Sequence, residues 1–172
     1  MTQMMRKLFL TWAVALFAVT LSYAQKDIPA GGSMELASLE SGDDQFALYK
    51  VKDKEGNPNF IFTASHQIFS FDVSTPDSSG GFGIGDGKAL IIGESYEDAL
   101  ACINELIGLF DQADGTQKEF TCMDGSTVMV TLHKGFLGRH LSVGVGDASV
   151  SKGELKSLRT GLKLSKKLHS EL

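Results

Sequence analysis

The chain has few of the residue patterns that mark common catalytic or metal sites. Only two cysteines, one tryptophan and four histidines occur among its 172 residues. It has no Cys-x-x-Cys, His-Glu-x-x-His or Gly-x-Ser-x-Gly pattern, and no Ser-x-x-Lys with its companion motifs. The local signatures of zinc sites, zinc proteases and the main serine hydrolases are therefore absent from the sequence, and we expect no cofactor.

A glycine-rich stretch, GGFGIGDGK at residues 80–88, also fails as a phosphate-binding loop. The P-loop pattern G-x-x-x-x-G-K-[ST] requires a glycine where this chain has Phe82, and a serine or threonine where it has Ala89. Its glycines alternate with other residues. This pattern instead predicts a strand with one face nearly free of side chains.

The N-terminus has the pattern of a cleavable secretory signal. Arg6 and Lys7 precede an apolar run at residues 8–21, and the small residues Ser22 and Ala24 follow it. The run is shorter than the roughly 20 residues of a membrane-spanning helix. We expect cleavage after residue 24, a periplasmic or secreted location, and no membrane span afterwards. No cysteine follows the cleavage site, so the chain is not expected to be a lipoprotein.

Negative charge predominates in the expected mature chain. Loss of residues 1–24 leaves 14 basic and 21 acidic residues, and residues 151–172 alone hold six basic and two acidic ones. An acidic domain has no general affinity for nucleic acid, so no nucleic-acid partner is expected. The basic C-terminal segment is either a solvated helix face or a surface for an anionic partner.

Hydrophobic periodicity predicts a single α+β domain over residues 45–172. This domain is expected to be mostly antiparallel sheet with two amphipathic helices. Residues 25–44 before it are expected to form a flexible lead-in. Ser95 with Asp98, and Ser151 with Glu154, form the capping patterns that open the two helices. The motif Gly-x-Gly-Asp precedes each helix, at 83–86 and 144–147, which suggests a quasi-duplicated strands-then-helix unit. The predicted strands cover residues 46–51, 60–65, 68–73, 89–93, 118–123, 127–133 and 140–146.

Three sets of residues are candidates for a reactive, metal-binding or disulfide site. Cys122, His133 and His140 would form a nucleophile or metal cluster if the sheet brought them together, although a buried thiol and two strand-end imidazoles are the simpler interpretation. Asp86 and Asp147 are candidate calcium ligands, without the dense acidic spacing of known calcium loops. Cys102 and Cys122 are either a disulfide or two free thiols.

The last helix has an irregular apolar pattern. Leu155, Leu158 and Leu162 form one stripe, but Leu164 and Leu168 fall on nearly the opposite face, beside Lys163 and Lys167. Either the helix bends, or its end presents an apolar patch outward. We therefore expect an exported, non-catalytic binding module, with a protein partner or self-association at Leu164, Leu168, Lys163 and Lys167. The alternative is a small hydrolase or metal-dependent enzyme using the Cys and His residues.

Overall fold

The structure, a computed structural model, describes residues 28–66, 88–136, 138–143 and 148–170. The predicted signal, the strand at 68–73, the glycines at 80–87 and the candidates Asp86 and Asp147 lie outside these residues. The first half contains β1 (Ser33–Ser41), β2 (Asp44–Lys52), β3 (Pro58–His66), β4 (Lys88–Gly93) and helix α1 (Tyr96–Leu109). The second half contains β5 (Gln117–Thr121), β6 (Thr127–Gly135), β7 (Gly138–Val143), β8 (Ala148–Ser151) and helix α2 (Lys152–Ser170).

The strands form two antiparallel four-stranded sheets, with the orders β1-β2-β3-β4 and β5-β6-β7-β8. Each strand pairs with its neighbour in sequence, as short connections favour. This confirms the predicted α+β class. The sequence motif that suggested a duplicated unit lies outside the described residues, so that suggestion stays a prediction.

The first strand corrects part of the predicted lead-in. Residues 33–41, expected to be flexible, form a nine-residue strand that pairs along its length with β2. Its side chains Leu36, Ala37 and Leu39 pack against the main core. A register shift between Glu35 and Ala37 breaks the strict alternation of apolar residues, which is why the period-two pattern is hidden in the sequence.

Both helices begin where the capping patterns predicted. The Ser95 hydroxyl accepts a hydrogen bond of 3.1 Å from the backbone N–H of Asp98 and donates to its carboxylate. At α2 the cap is reciprocal, because Glu154 accepts from the N–H of Ser151 while the Ser151 hydroxyl accepts from the N–H of Glu154. The buried residues of α1 are Ala99, Ile103, Leu106 and Ile107, and those of α2 are Leu155, Leu158, Leu162 and Ser165.

Helix α2 follows the second sheet in sequence but packs on β1, the edge strand of the first sheet. Gly161 lies so close to this strand that a Cβ atom there would be 2.6 Å from the Cβ of Ala37. The two halves also meet where the Ser149 N–H of β8 donates to the Asp44 carboxylate at 3.2 Å. The last helix and the first strand therefore pack together and belong to the same core.

The two helices run antiparallel and are joined by a polar ladder. The residues that form it are seven apart in sequence on both sides, so they return to the same helical face every two turns. Each rung joins a cationic side chain of α2 to an oxygen of α1, or of the residues just after it. The rungs are Lys152–Asp111, Arg159–Asn104 and Lys166–Glu97.

Within the residues that the structure describes, neither helix has the length and apolar character needed to cross a membrane.

Candidate functional site

The end of α2 presents two leucines to solvent. The exposed fractions of Leu164 and Leu168 are 53% and 51%, whereas Leu158 and Leu162 on the opposite face are buried at 1% and 0%. Lys163 and Lys167, each one residue before a leucine, are exposed as well. We call Lys163, Leu164, Lys167 and Leu168 the α2 patch. It is an apolar surface of two residues with cations along one side.

The α2 patch is held in place by contacts on the other side of the same two turns. Ser165 is 6% exposed, and its carbonyl oxygen lies 2.7 Å from Nδ1 of His169. The His169 ring stacks on Tyr96 of α1, with centroids 6.4 Å apart, and the Tyr96 hydroxyl lies 3.2 Å from the same nitrogen. Tyr96 in turn packs edge-on against Phe60 in the core. The apolar patch therefore belongs to an ordered helix end that does not need the leucines for its own packing.

Burial also affects the acidity of Tyr96 at this contact. Tyr96 is partly buried between α2 and the first sheet, and this desolvation raises the pKa of its hydroxyl. The side chain stays neutral over the physiological range, so it acts as a hydrogen-bonding group towards His169.

The second sheet brings His133 and His140 together. They are direct cross-strand partners on β6 and β7, and their ring centroids lie 5.6 Å apart. Leu132 and Leu141, their immediate neighbours in sequence, are fully buried, so the two imidazoles lie on the opposite, outer face of the sheet. The hydroxyl of Ser142 lies 3.0 Å from Nε2 of His133.

Cys122 is not part of this pair, which corrects the proposed Cys/His cluster. Its thiol is 2% exposed and belongs to the main core, on the side of the sheet away from the histidines. Its N–H donates to the carbonyl of Ser126. His133 lies seven residues further along the extended chain of β6, about 23 Å away. A Cys–His nucleophile pair cannot form across that distance, because the two groups must lie within hydrogen-bond reach.

The two cysteines are free thiols in the structure, so the disulfide alternative is not formed. Cys102 lies on α1, where burial raises the pKa of its thiol to about 11, with a smaller opposing effect of Lys118. Cys122 follows the end of β5 and is buried in the main core.

Phe136 is a feature that the sequence reasoning missed. It is fully exposed in the turn between β6 and β7, just beyond the Gly135–Gly138 pair that ends the ladder. The sequence does hold a signal here, since Phe136 lies in a short segment with a glycine and a basic residue at each end, from Lys134 to Arg139. This segment is too short to show a periodic pattern. Arg139 itself turns away from the outer face and donates to the carbonyl oxygens of Phe110 and Gln112 after α1.

No protein-family model matches the chain, and no curated protein or solved structure is significantly similar to it. The described residues contain no group of three or more His, Cys, Asp or Glu side chains placed to hold a metal ion.

Proposed function

We propose that this chain is an exported, non-catalytic binding module that recognises an acidic protein partner through the α2 patch. The observation that carries the proposal is the half exposure of Leu164 and Leu168 on a helix end fixed by other contacts. A single exposed leucine is ordinary, but two on adjacent turns of an ordered helix have the i, i+4 spacing that helix-face recognition uses. Export rests on the N-terminal sequence pattern.

The charge of the α2 patch selects the kind of partner. Lys163 and Lys167 border the leucines, so a partner that carries carboxylates around an apolar centre would be complementary. Two copies of α2 packed face to face would place these lysines against the same lysines of the second copy. Like charges at a contact oppose association, which favours a different, acidic chain over a second copy.

Photo-crosslinking in cells that naturally produce the protein tests this proposal. A photoreactive residue replaces Leu168 in the full chain, and a matched one replaces Glu119, which is exposed on the second sheet. We expect one discrete adduct from position 168, absent from position 119, whose crosslinked peptide is rich in Asp and Glu. Lys163→Glu/Lys167→Glu should abolish the adduct, whereas Lys54→Glu/Lys134→Glu, the same charge change elsewhere, should leave it.

Three outcomes would overturn the proposal. Equal adducts from both positions would mean nonspecific contact, and no adduct would mean an unoccupied surface. An adduct between two copies of the chain would replace the acidic partner by self-association. Thermal unfolding of each variant shows that it is folded, and little change is expected because all the altered residues are exposed.

A further inference from the structure

We propose that His133 and His140 form a two-imidazole site for a divalent late first-row transition-metal ion, Zn²⁺ or Cu²⁺, on the outer face of the second sheet. This site is separate from the α2 patch and does not depend on it. The inference rests on strand register, ring spacing, the room left around His140 and the direction of nearby charges.

The strand register fixes the pair. His133 and His140 are opposite each other in the β6–β7 ladder, and the buried residues that alternate with them prevent a one-residue slip. Both ligands therefore sit on rigid strands joined by a short turn, and both face the same side. Preorganisation of this kind lowers the entropy that a metal site loses on binding.

The spacing of the rings suits one shared ion. Imidazole nitrogen binds Zn²⁺ at about 2.0–2.1 Å, which puts the ring centroid about 3.2 Å from the metal. Two imidazoles at a tetrahedral angle then have centroids about 5.2 Å apart. The observed separation of 5.6 Å differs from that value by a few tenths of an ångström, and side-chain rotation alone can supply the difference.

A glycine leaves space for one of the rings. A Cβ at Gly135 would lie 3.3 Å from Cε1 of His140, closer than ordinary van der Waals contact. The backbone does not require glycine at this position, since positive φ occurs at Gly138 and not at Gly135. What Gly135 provides is room beside the imidazole. That room lets the His140 ring adjust towards a shared ion.

The cations of the hairpin do not oppose a bound ion. Arg139 is adjacent to His140 but donates to the Phe110 and Gln112 carbonyls beyond α1, on the other side of the strand. Lys134 is adjacent to His133 and alternates to the same side as Arg139, its cross-strand partner. On the outer face, the Ser142 hydroxyl lies 3.0 Å from Nε2 of His133 and orients that ring.

The donor set decides the class of ion. Two neutral nitrogen ligands without a carboxylate suit Zn²⁺ and Cu²⁺, whereas Ca²⁺ and Mg²⁺ require oxygen ligands. Because no third His, Cys, Asp or Glu joins the pair among the described residues, water would complete the coordination. Such a site is open to a further ligand, as catalytic zinc sites are, but its accessible positions face solvent.

Calorimetric titration of the untagged mature chain with ZnCl₂ and with CuCl₂ tests the site. We expect one ion per chain, with Cu²⁺ binding more tightly than Zn²⁺. His133→Gln and His140→Gln should each weaken binding on the order of 100-fold, because the second, linked ligand is lost. His169→Gln is the matched control and should leave affinity unchanged, since that ring packs against Tyr96.

A second measurement separates ligation from folding. The Cu²⁺-loaded chain should show electron paramagnetic resonance coupling to two imidazole nitrogens, reduced to one in either single variant. Gly135→Ala keeps both histidines but crowds His140, so it should weaken binding several-fold without loss of structure. Wild-type affinity in the double variant His133→Gln/His140→Gln, or no measurable binding by the wild type, would overturn the proposal.

Discussion

At the scale of single residues, Gly161 sets how closely α2 approaches β1. The Cβ of an alanine there would meet the Cβ of Ala37 at 2.6 Å, and neither atom is the end of a flexible side chain. Gly161→Ala should therefore destabilise the fold by about 1–3 kcal/mol, the usual cost of overpacking, even though alanine favours the helix by up to about 1 kcal/mol. The free energy of unfolding in urea measures the change.

Gly108 in α1 is the matched control for that substitution. It has no heavy atom within 4 Å of where its Cβ would lie, so Gly108→Ala gains helix propensity without a clash. We expect a neutral to slightly stabilising result. If both alanines stabilised the protein equally, the close contact between α2 and β1 would be wrong.

Some residues of the candidate sites were predictable from the sequence and others were not. Helical period placed Leu164 and Leu168 away from Leu158 and Leu162, and their exposure in the structure decides for an outward patch over a bent helix. The pairing of His133 with His140 depends on where the hairpin turns, and a shift of that turn changes which residues are opposite. Sequence alternation places residues on faces, but only the register places them in pairs.

At the scale of elements, the polar ladder links helix stability to pH. Hydrogen bonding and attraction from Lys166 hold the pKa of Glu97 below its usual 4.5, and Lys152 does the same for Asp111 below 3.8. Because these folded-state pKa values are the lower ones, the stabilisation is present above the usual values and is lost as pH falls through the lowered ones. Acidification below about pH 4 should thus weaken the α1–α2 contact.

The variant Glu97→Gln/Asp111→Asn tests this acid dependence. It removes both titrating groups of the ladder. Its free energy of unfolding should therefore decline less than that of the wild type between roughly pH 5 and pH 2, the range in which carboxyl groups titrate. Urea midpoints at several pH values make the comparison. Glu55→Gln/Glu119→Gln changes the same number of exposed carboxylates and should keep the wild-type slope. Parallel curves for all three proteins would show that the ladder contributes nothing.

The same elements show where sequence reasoning succeeds. Both helix starts are fixed by hydrogen bonds within one turn, at Ser95 and at Ser151, so local sequence was sufficient to find them. Strands β1 and β8 were missed because neither shows a clear period-two pattern in the sequence. A bulge hides the alternation of β1, and β8 has only four residues, Ala148–Ser151. Short or irregular strands are defined by the ladder they join.

At the scale of the whole molecule, the structure predicts that residues 33–41 are indispensable. A chain that begins at Gln45 lacks β1, and with it the side chains of Leu36, Ala37 and Leu39 that pack on the core and support α2. We expect this chain to lose cooperative thermal unfolding, whereas a chain that begins at Gln25 should keep it. A normal unfolding transition in the shorter chain would show that β1 is not part of the core.

The contact between the first strand and the last helix also orders events in time. A ribosome makes β1 well before α2, so the surface that covers the edge of the first sheet is added only after both sheets have been synthesised. Contacts between residues far apart in sequence form slowly, because a long loop must close before they contribute. The growing chain thus cannot complete its core while it is being made. Until α2 is added, the chain lacks part of its core, which keeps it easier to unfold and to thread through a narrow pore.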